Sequence, residues 1–363
     1  MNNENLRQLL NTPASFLAVP EKGGNVAVSS RIRLARNIKA FPFPCAAHPE
    51  QLSEICELVS AAAGNCSKMS RENSLSFDIS EMTPHEREAL KERCLAGKEI
   101  LAGPENCRLI TAKDSSCSIL INEEDHIRIQ VLAPGFQPEQ AWTDIDALDN
   151  ELAEHLDYAF DGQLGFLTAS PANTGTGLKV SVLLHLPGLV MTGKLGPTMQ
   201  GINKLHLAVR GFYGEPNDNP GNLFLISNQV TLGDSETGII GKLSQVVRQL
   251  ILHENAARQL VIKKDKAALL DHVGRSYGIL RHGYKLSVKE AVNCLSGLRL
   301  GVDMELFNSV DMSCVNEMFL AVQPIHLQKI ADKRLSSDEK NVFRAAYCRE
   351  KLKKYLIEKE ILI

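Results

Sequence analysis

A long amphipathic segment divides the sequence into two parts with different patterns. Apolar residues recur at spacings of three and four from about Ser235 to Lys263, namely Ile239, Ile240, Leu243, Val246, Val247, Leu250 and Ile251. This spacing predicts one long helix with a single apolar face. A chain of 363 residues has enough material for two domains, and we interpret the helix as the connector between them.

The two parts differ in the kind of structure that they predict. Before the helix, runs that alternate apolar and polar residues are separated by helical stretches near residues 49–63, 138–158 and 177–189. After it, residues 264–363 are rich in Leu, Ala, Glu and Lys, with few strand-like segments. We therefore predict an α+β domain over residues 1–255 and a helical domain over residues 256–363.

Charge and cysteine content narrow the function classes. The formal net charge of -3 provides no global attraction to nucleic acid or to an anionic membrane, so neither is expected as a partner. The nine cysteines form no CxxC pair and have no matching histidine spacing, which argues against a zinc site and against a disulfide framework. The N-terminus is polar, and the most apolar stretch, residues 180–191, contains His185 and Pro187, so we expect neither a signal peptide nor a membrane span. These features favour the cytoplasm.

Two arginines share one face of a predicted strand. Side chains two apart on a strand point to the same side. From Ser29 onward, this alternation places Arg31 beside Arg33. Ile32 and Leu34 then face a core.

Two further predicted strands display charged residues. The alternation in residues 122–131 assigns the buried face to apolar residues and the other face to Glu124, His126, Arg128 and Gln130. Another strand ends at Arg210, and Glu215 follows in a glycine-containing loop that can bend close to a ligand. Each strand alone is ordinary, because antiparallel sheets commonly have one solvated face. The guanidinium fork of arginine, however, suits bidentate contacts with phosphate oxygens.

A Gly/Thr/Asn-rich segment, from Ser170 to Lys179, is a fourth candidate element. We expect it to run into an apolar helix whose first N–H groups bind phosphate together with Lys179. It lacks the glycine-lysine-serine/threonine order of a P-loop. A segment of this composition is more often a plain turn followed by a helix cap.

Together, the four segments resemble the motifs of the phosphagen kinase superfamily, which are SxRxR, NEEDHxR, CPxNxGTxxR and RGxxGE. They begin here at Ser29, Asn122, Ser170 and Arg210, in the family order. The surrounding sequence, including RIRLARN, LHLPGLV and ISNQVTLG, is similar to the McsB family of bacterial protein-arginine kinases.

This resemblance implies a fold, a reaction and partners. The fold is a large antiparallel sheet flanked by helices, joined to a helical C-terminal domain that supports dimerisation. The reaction is transfer of the γ-phosphoryl group of ATP, with Mg2+, to the guanidinium of arginine residues in proteins. Because the SxRxR motif already lies at Ser29, we expect no N-terminal helical domain and an open acceptor site. The implied partners are arginine-bearing proteins, a second copy of the chain, a McsA-like activator and the Clp protease machinery.

The matching motif positions imply a role for each site residue. Glu124 and Glu215 hold the acceptor guanidinium, and Glu124 is the preferred base. The nucleotide is expected at Ser29, Arg31, Arg33, His126, Arg128, Lys179 and Arg210, with Ser170 and Asn173 also in the site. A second interpretation of His126 is a strand histidine that hydrogen-bonds its neighbours.

Three positions depart from the family pattern. Ser170 stands where the family has a cysteine, and Lys179 stands where it has an arginine. These changes remove a charge-capable thiol and a two-pronged phosphate contact, which predicts a slower enzyme. Residues 340–345 replace an RDxxRA segment that binds phosphoarginine in relatives, although Arg344 remains, so regulation by phosphoarginine is in question.

Two other function classes stay open at this point. A catalytically weak pseudokinase that acts as a binding or adaptor protein would account for the altered positions, although both glutamates and all four arginines are present. A ligase of the glutamine-synthetase type also uses glutamates and arginines around ATP. It requires metal-binding carboxylate clusters, which we do not find in the sequence.

Overall fold

The computed structural model describes residues 2–20, 24–70, 72–214, 219–307 and 310–355. The chain separates into two compact units. Unit 1 consists of Met1–Phe16, Ser29–Val182 and Ser227–Gln245, and unit 2 consists of Leu17–Val28, Leu183–Ile226 and Val246–Ile363.

The described residues form ten strands. In chain order they are β1 (Ala27–Arg36), β2 (Ser74–Asp78), β3 (Arg108–Ala112), β4 (Cys117–Ile121), β5 (Ile127–Pro134), β6 (Phe160–Asp161), β7 (Gly165–Phe166), β8 (Leu178–His185), β9 (Leu207–Gly211) and β10 (Leu223–Asn228). Eight of them form one sheet in the order β2-β3-β4-β5-β1-β8-β10-β9, and β6 pairs with β7 in a separate hairpin. The pairs β2-β3, β3-β4, β4-β5 and β5-β1 are antiparallel.

The described residues also form eleven α-helices. They are α1 (Asn2–Asn11), α2 (Pro49–Asn65), α3 (Pro84–Glu92), α4 (Pro138–Ala153), α5 (Pro187–Met191), α6 (Leu195–Asn203), α7 (Glu236–His282), α8 (Val288–Asp303), α9 (Met312–Ala321), α10 (Pro324–Ile330) and α11 (Ser337–Leu352). Helices α2, α3 and α4 each begin with proline, whose fixed φ suits the first helical position. None of the described helices is long and apolar enough to cross a membrane.

The core of unit 1 lies between its strands and helices. On α4 the buried residues Ala141, Ile145, Leu148 and Leu152 recur at spacings of three and four, and α4 packs on β5. Ile32 and Leu34 of β1 are completely buried, as the alternation predicts. The large antiparallel sheet with flanking helices is therefore confirmed, and with it the α+β class.

The prediction of a helix near residues 177–189 is wrong. Leu178–His185 forms β8, in which Val180 and Val182 alternate with Lys179 and Ser181. Valine favours strands, and a short apolar run can be helix or strand by periodicity alone. Lys179 is therefore a strand residue, and the predicted phosphate-binding helix start after Gly177 does not form.

The long helix predicted from Ser235 is present as α7. It contains a break at Asp265, whose backbone angles of φ −156° and ψ 78° are not helical. Oδ1 of Asp265 accepts a hydrogen bond from the N–H of Ala268 at 2.9 Å, which is how a capping residue restarts a helix. From Asp265 to Leu352 the described chain is helical apart from short connections, so the helical C-terminal part is also confirmed.

A buried ionic network stabilises unit 2. Arg258 of α7 donates to Oε1 of Glu254 at 2.7 Å and to Asp303 at the end of α8. Both carboxylate oxygens of Glu254 accept from backbone N–H groups of Gly188 and Leu189, at 2.8 and 2.9 Å. Because every charge is paired, the desolvation penalty of these groups is offset.

Candidate active site

Strand β1 displays Arg31 and Arg33 side by side, which confirms the prediction from alternation. In the antiparallel pair with β5, Arg33 lies opposite Gln130 and Arg31 lies opposite Leu132. Opposite residues share a face of the sheet, and so do residues two apart. Arg128 lies on this same face, opposite Ala35.

Glu124 and His126 do not belong to strand β5, so the predicted alternation is wrong for these two residues. Strand β4 ends at Ile121 and β5 begins at Ile127, and residues 122–126 form the bend between them. Asn122 has a φ of +54°, a conformation that asparagine adopts more readily than most residues. Its N–H donates to the carbonyl of His126 at 3.0 Å, which closes the bend.

The bend is fastened to the loop around Ser170 by two buried polar residues. Oδ1 of Asp125 accepts from Nδ2 of Asn37 and from the N–H of Ala169, both at 2.7 Å. Asn37 also donates to the carbonyl of Leu167 at 3.0 Å. These bonds link the segments that carry Glu124 and Ser170.

His126 is buried, and both of its ring nitrogens have partners within the protein. Nδ1 accepts from the N–H of Ile38 at 3.0 Å, and Nε2 lies 2.9 Å from the carbonyl of Pro42, to which it donates in the neutral form. Burial lowers the pKa of His126, which agrees with a neutral ring. Of the two interpretations of His126, a nucleotide contact and a histidine that hydrogen-bonds its neighbours, this arrangement agrees with the second.

A loop over residues 172–177 forms one wall of the site. Nη1 of Arg36 donates to the carbonyl of Thr176 at 2.9 Å, while Nη2 of Arg36 contacts Asp149 at 2.7 Å. Gly177 has a φ of +66°, and a Cβ there would lie 2.6 Å from the carbonyl oxygen of Ala35. Only glycine fits this position without strain, so the loop passes directly over β1.

One cleft is lined by residues of β1, the bend, β5, the loop and β8. Its lining residues are Arg33, Leu34, Ala35, Glu123, Glu124, Asp125, Arg128, Asn173, Gly177 and Lys179. The structure thus brings together five of the predicted site residues, Arg33, Glu124, Arg128, Asn173 and Lys179. Lys179 also donates to the carbonyl of Asn228.

The other predicted site residues do not line this cleft or are not among the described residues. Arg31 is next to the cleft on the same sheet face, where its Nε lies 3.4 Å from Oγ of Ser181. Ser29 is buried as the third residue of β1, and the carbonyl of Ser170 accepts from the N–H of Asn173 at 2.9 Å. Arg210 is an exposed residue of β9 in unit 2. Glu215 lies outside the described residues, so its pairing with Glu124 stays a prediction.

Positive charge is concentrated on this face of the sheet. Burial is the largest cause that lowers the pKa of Arg33 well below its ordinary value, and Arg31 and Arg128 lower it further. Nε of Arg33 is buried and has no hydrogen-bond partner among the described residues. Buried polar groups are usually hydrogen-bonded, so this N–H is a candidate donor to a bound anion.

Glu123 partly balances this charge, although the sequence pattern did not indicate a site role for it. Its Oε2 accepts from Nη1 of Arg128 at 2.7 Å, while its Oε1 is buried and has no hydrogen-bond partner in the described part of the chain. Glu123 belongs to the NEED motif, but the assumed alternation placed its side chain on the face of the strand opposite to Arg128. Glu124 is exposed, and its pKa is raised by partial burial and by the charges of Asp125 and Glu123.

The C-terminal segment that departs from RDxxRA forms a structural contact in unit 2. Arg344 is buried and donates to the carbonyls of Val322 and Leu286, both at 2.8 Å, and to Oδ1 of Asn341 at 2.7 Å. In this structure Arg344 therefore joins α11 to two other segments of the unit.

Comparison with known families gives two matches that together span most of the chain. The family described as ATP:guanido phosphotransferase, C-terminal catalytic domain, matches residues 54–257. The family described as protein-arginine kinase McsB C-terminal domain matches residues 266–360.

Full-length relatives agree with these matches. A protein-arginine kinase of Moorella thermoacetica is 40% identical over 90% of this chain and 94% of its own. A protein-arginine kinase of Halothermothrix orenii is 39% identical over 96% of this chain and 99% of its own. The similarity thus extends through both units.

Solved structures show the same fold. A lombricine kinase is similar with a TM-score of 0.56 and 25% identity, over 68% of this chain and 71% of that chain. A duplicated taurocyamine kinase from Schistosoma mansoni with bound transition state analog components has a TM-score of 0.58 and 23% identity, over 78% of this chain and 42% of that chain. From the family matches and the full-length relatives, the chain belongs to the protein-arginine kinase family of the ATP:guanido phosphotransferases.

Proposed function

We propose that the chain transfers the γ-phosphoryl group of ATP to the guanidinium of arginine residues in proteins. The observation that carries this proposal is the arginine-rich cleft next to an exposed glutamate. A family whose members are named protein-arginine kinases supports the same reaction. The pseudokinase alternative is not favoured, because relatives that match over nearly the whole chain carry the name of a kinase.

The arginines are suited to bind the nucleotide phosphates. Arg31, Arg33 and Arg128 share one face, and burial lowers the pKa of Arg33, with a further contribution from the charges of Arg31 and Arg128. A polyphosphate would compensate this buried positive charge and accept a hydrogen bond from Nε of Arg33. Lys179 adds a positive charge to the cleft, and we propose Arg210 as a further phosphate contact.

The acids are suited to prepare the acceptor. An arginine side chain is protonated at physiological pH and is a poor nucleophile until it loses a proton. We assign proton removal to Glu124, because it lines the cleft, is exposed and has a raised pKa that favours accepting a proton. By its motif position, Glu215 holds the same guanidinium in line with the phosphate. Ser170 provides a hydroxyl where relatives have a thiol.

The site fits Mg2+ that arrives with the nucleotide. Among the described residues, no group of three or more His, Cys, Asp or Glu side chains could hold a metal ion alone. Oε1 of Glu123 is nevertheless a buried carboxylate oxygen without a partner, and Mg2+ commonly binds one carboxylate together with phosphate oxygens and water. Glu123 is therefore the residue that would hold the ion, whose charge would stabilise the transferring phosphate.

The remaining assignments follow from family resemblance. We propose residues 1–255 as the catalytic domain and residues 256–363 as a helical domain that supports a homodimer. We also propose a cytoplasmic location, a McsA-like activator and delivery of the phosphorylated proteins to Clp protease machinery. Proteins that carry arginine are the substrates.

A labelling experiment tests the reaction. The chain is incubated with γ-labelled ATP, Mg2+ and an arginine-rich protein, and we expect acid-labile phosphate on that protein. Glu124→Gln should abolish the label while ATP affinity remains within about twofold, because the variant keeps the arginines. Glu350→Gln, which alters an exposed glutamate of α11, is the matched control and should label normally. Absence of label from the unmodified chain under all metal conditions would support the pseudokinase instead.

A further inference from the structure

A second groove lies on the other side of the loop that lines the active-site cleft. Asn173 and Gly177 of this loop line the cleft, whereas Gly175 and Thr176 line the groove. The opposite wall of the groove is built by the β6-β7 hairpin and by residues 231–236. Its volume of about 430 Å3 is within the range of small-ligand pockets.

The wall between cleft and groove is a single, firmly held backbone segment. Phe166 donates its N–H to the carbonyl of Gly175 at 2.8 Å, and Thr176 donates its N–H to the carbonyl of Thr231 at 3.0 Å. Oγ1 of Thr231 contacts the carbonyl of Thr174 at 2.7 Å. A Cβ at Gly175 would lie 2.4 Å from the carbonyl oxygen of Thr231, so the segments are in close contact. The groove is therefore a built feature of unit 1.

Exposed apolar side chains are concentrated at this groove. In the described part of unit 1, the large apolar side chains that are exposed are Leu58, Phe160, Leu164, Val230 and Leu232. All except Leu58 lie on the hairpin or on the loop after β10, and Phe160, Leu164 and Leu232 line the groove. Single exposed apolar residues are normal on a protein surface, whereas a cluster around a concavity indicates binding.

The charge of the groove indicates what kind of segment it accepts. The ionisable residues in its lining are Asp234 and Glu236, both acidic, and Asp234 is paired with Lys242. An apolar surface with an acidic end suits an apolar segment that also carries positive charge. A protein segment that contains an arginine has this chemistry.

We propose that the groove binds an apolar side chain of the protein substrate, two to four residues from the arginine in the cleft. The span of two to four residues follows from the thickness of the wall, which is one backbone segment. Adjacent backbones lie about 5 Å apart, and an extended chain advances about 3.3 Å per residue as it crosses the wall. The inference rests on the proposed function. On this proposal, the preferred substrates are extended segments that carry apolar residues beside arginine. Folded proteins bury such segments.

Two peptides of equal length test this proposal. Each contains one arginine, and one peptide has leucine at the second and third positions on both sides of it, where the other has serine. We expect kcat/KM for the leucine peptide to be about fivefold to tenfold higher, since a leucine buried from water favours binding by this order.

Single variants on the two sides of the groove test whether the preference for the leucine peptide arises there. Leu164 and Leu232 are 48% and 49% exposed, so Leu164→Ser and Leu232→Ser should fold normally. Each should raise KM for the leucine peptide about threefold or more and leave KM for the serine peptide and for ATP unchanged. Leu58→Ser, on α2 and 41% exposed, is the matched control and should keep the preference.

The outcomes separate this inference from the proposed function. If the unmodified chain phosphorylates both peptides equally, the groove does not bind substrate. If the groove variants change the mass measured by light scattering but keep the peptide preference, the groove is an interface between copies and the proposal is overturned. If neither peptide nor any arginine-rich protein is phosphorylated, the proposed function itself fails.

Discussion

Oδ1 of Asp125 accepts a hydrogen bond from the backbone N–H of Ala169 at 2.7 Å. Asp125 follows Glu124 in the bend before β5, and Ala169 precedes Ser170 in the loop before β8. The bond therefore connects two motifs that are far apart in sequence, and Asn37 reinforces it by donating to the same oxygen. Asp125 acts as a positioning residue for Glu124.

We expect Asp125→Ala to impair both stability and turnover. The substitution leaves the donors of Ala169 and Asn37 without their acceptor, which costs about 1–3 kcal/mol. Turnover should fall by about tenfold or more because Glu124 loses its fixed position, while KM for ATP changes little. Urea unfolding and steady-state labelling measure the two effects.

Asp114→Ala is the matched control for this prediction. Oδ1 of Asp114 also accepts two hydrogen bonds, from the N–H and the hydroxyl of Ser116 at 3.0 and 2.7 Å, but in a turn outside the cleft. It should lower stability and leave turnover unchanged. Equal losses of turnover in both variants would show that Asp125 acts only through general stability.

The raised pKa of Glu124 predicts the acidic limb of the pH profile. A base must be deprotonated, so kcat/KM should decline as the pH falls through the pKa of Glu124. Because burial, Asp125 and Glu123 raise this pKa, the decline should begin at a higher pH than for an ordinary glutamate. Glu123→Gln removes one of these negative charges and should shift the limb toward lower pH. A limb that does not respond to this variant would assign the titration to another group.

Sequence alternation predicted the face of β1 correctly because Ile32 and Leu34 need a core and Arg31 and Arg33 do not. It was wrong for Glu124 and His126 because it assumed a continuous strand, whereas the positive φ of Asn122 starts a bend. The resemblance to a family motif still assigned Glu124 to the site, since a motif follows position in sequence and does not require regular backbone.

Other features could not be derived from local patterns. The segment at β8 was ambiguous because a short buried run fits a helix or a strand, and only the sheet around it decides. The contact of Arg36 with Thr176 joins residues 140 apart in sequence. The spacing of apolar residues gives no information about such a contact. The RIRLARN segment, which resembles the family, does contain Arg36 and Asn37.

Arg33→Met should separate nucleotide binding from stability. Arg33 has a buried Nε without a partner among the described residues, and its charge is opposed by Arg31 and Arg128. Its replacement by an apolar side chain of similar length should leave the unfolding free energy equal or higher. KM for ATP should nevertheless rise about tenfold or more, because charge-assisted bonds to phosphate are lost.

The control for Arg33→Met is a buried arginine with satisfied donors. Arg93 donates from Nε to Oγ of Ser115 at 3.0 Å and from Nη2 to the carbonyl of Thr12 at 3.1 Å. Arg93→Met should lower the midpoint of urea unfolding and leave KM for ATP unchanged. A loss of stability in Arg33→Met as large as in Arg93→Met would show that Arg33 is a structural residue.

Arg36→Lys tests whether the loop over β1 is held by the shape of a guanidinium or only by its charge. The guanidinium carbon of Arg36 lies 3.5 Å from the ring centroid of Phe166, and the group donates to Asp149 and Thr176 at once. Lysine keeps the charge and can retain the contact with Asp149, but its ammonium cannot also reach the carbonyl of Thr176 in the same fork geometry. We therefore expect Arg36→Lys to keep most of the stability while turnover falls several-fold, because the wall that contains Asn173 becomes loose. Hydrogen exchange at residues 172–177 should rise in this variant, and unchanged protection there, with normal turnover, would mean that charge alone suffices.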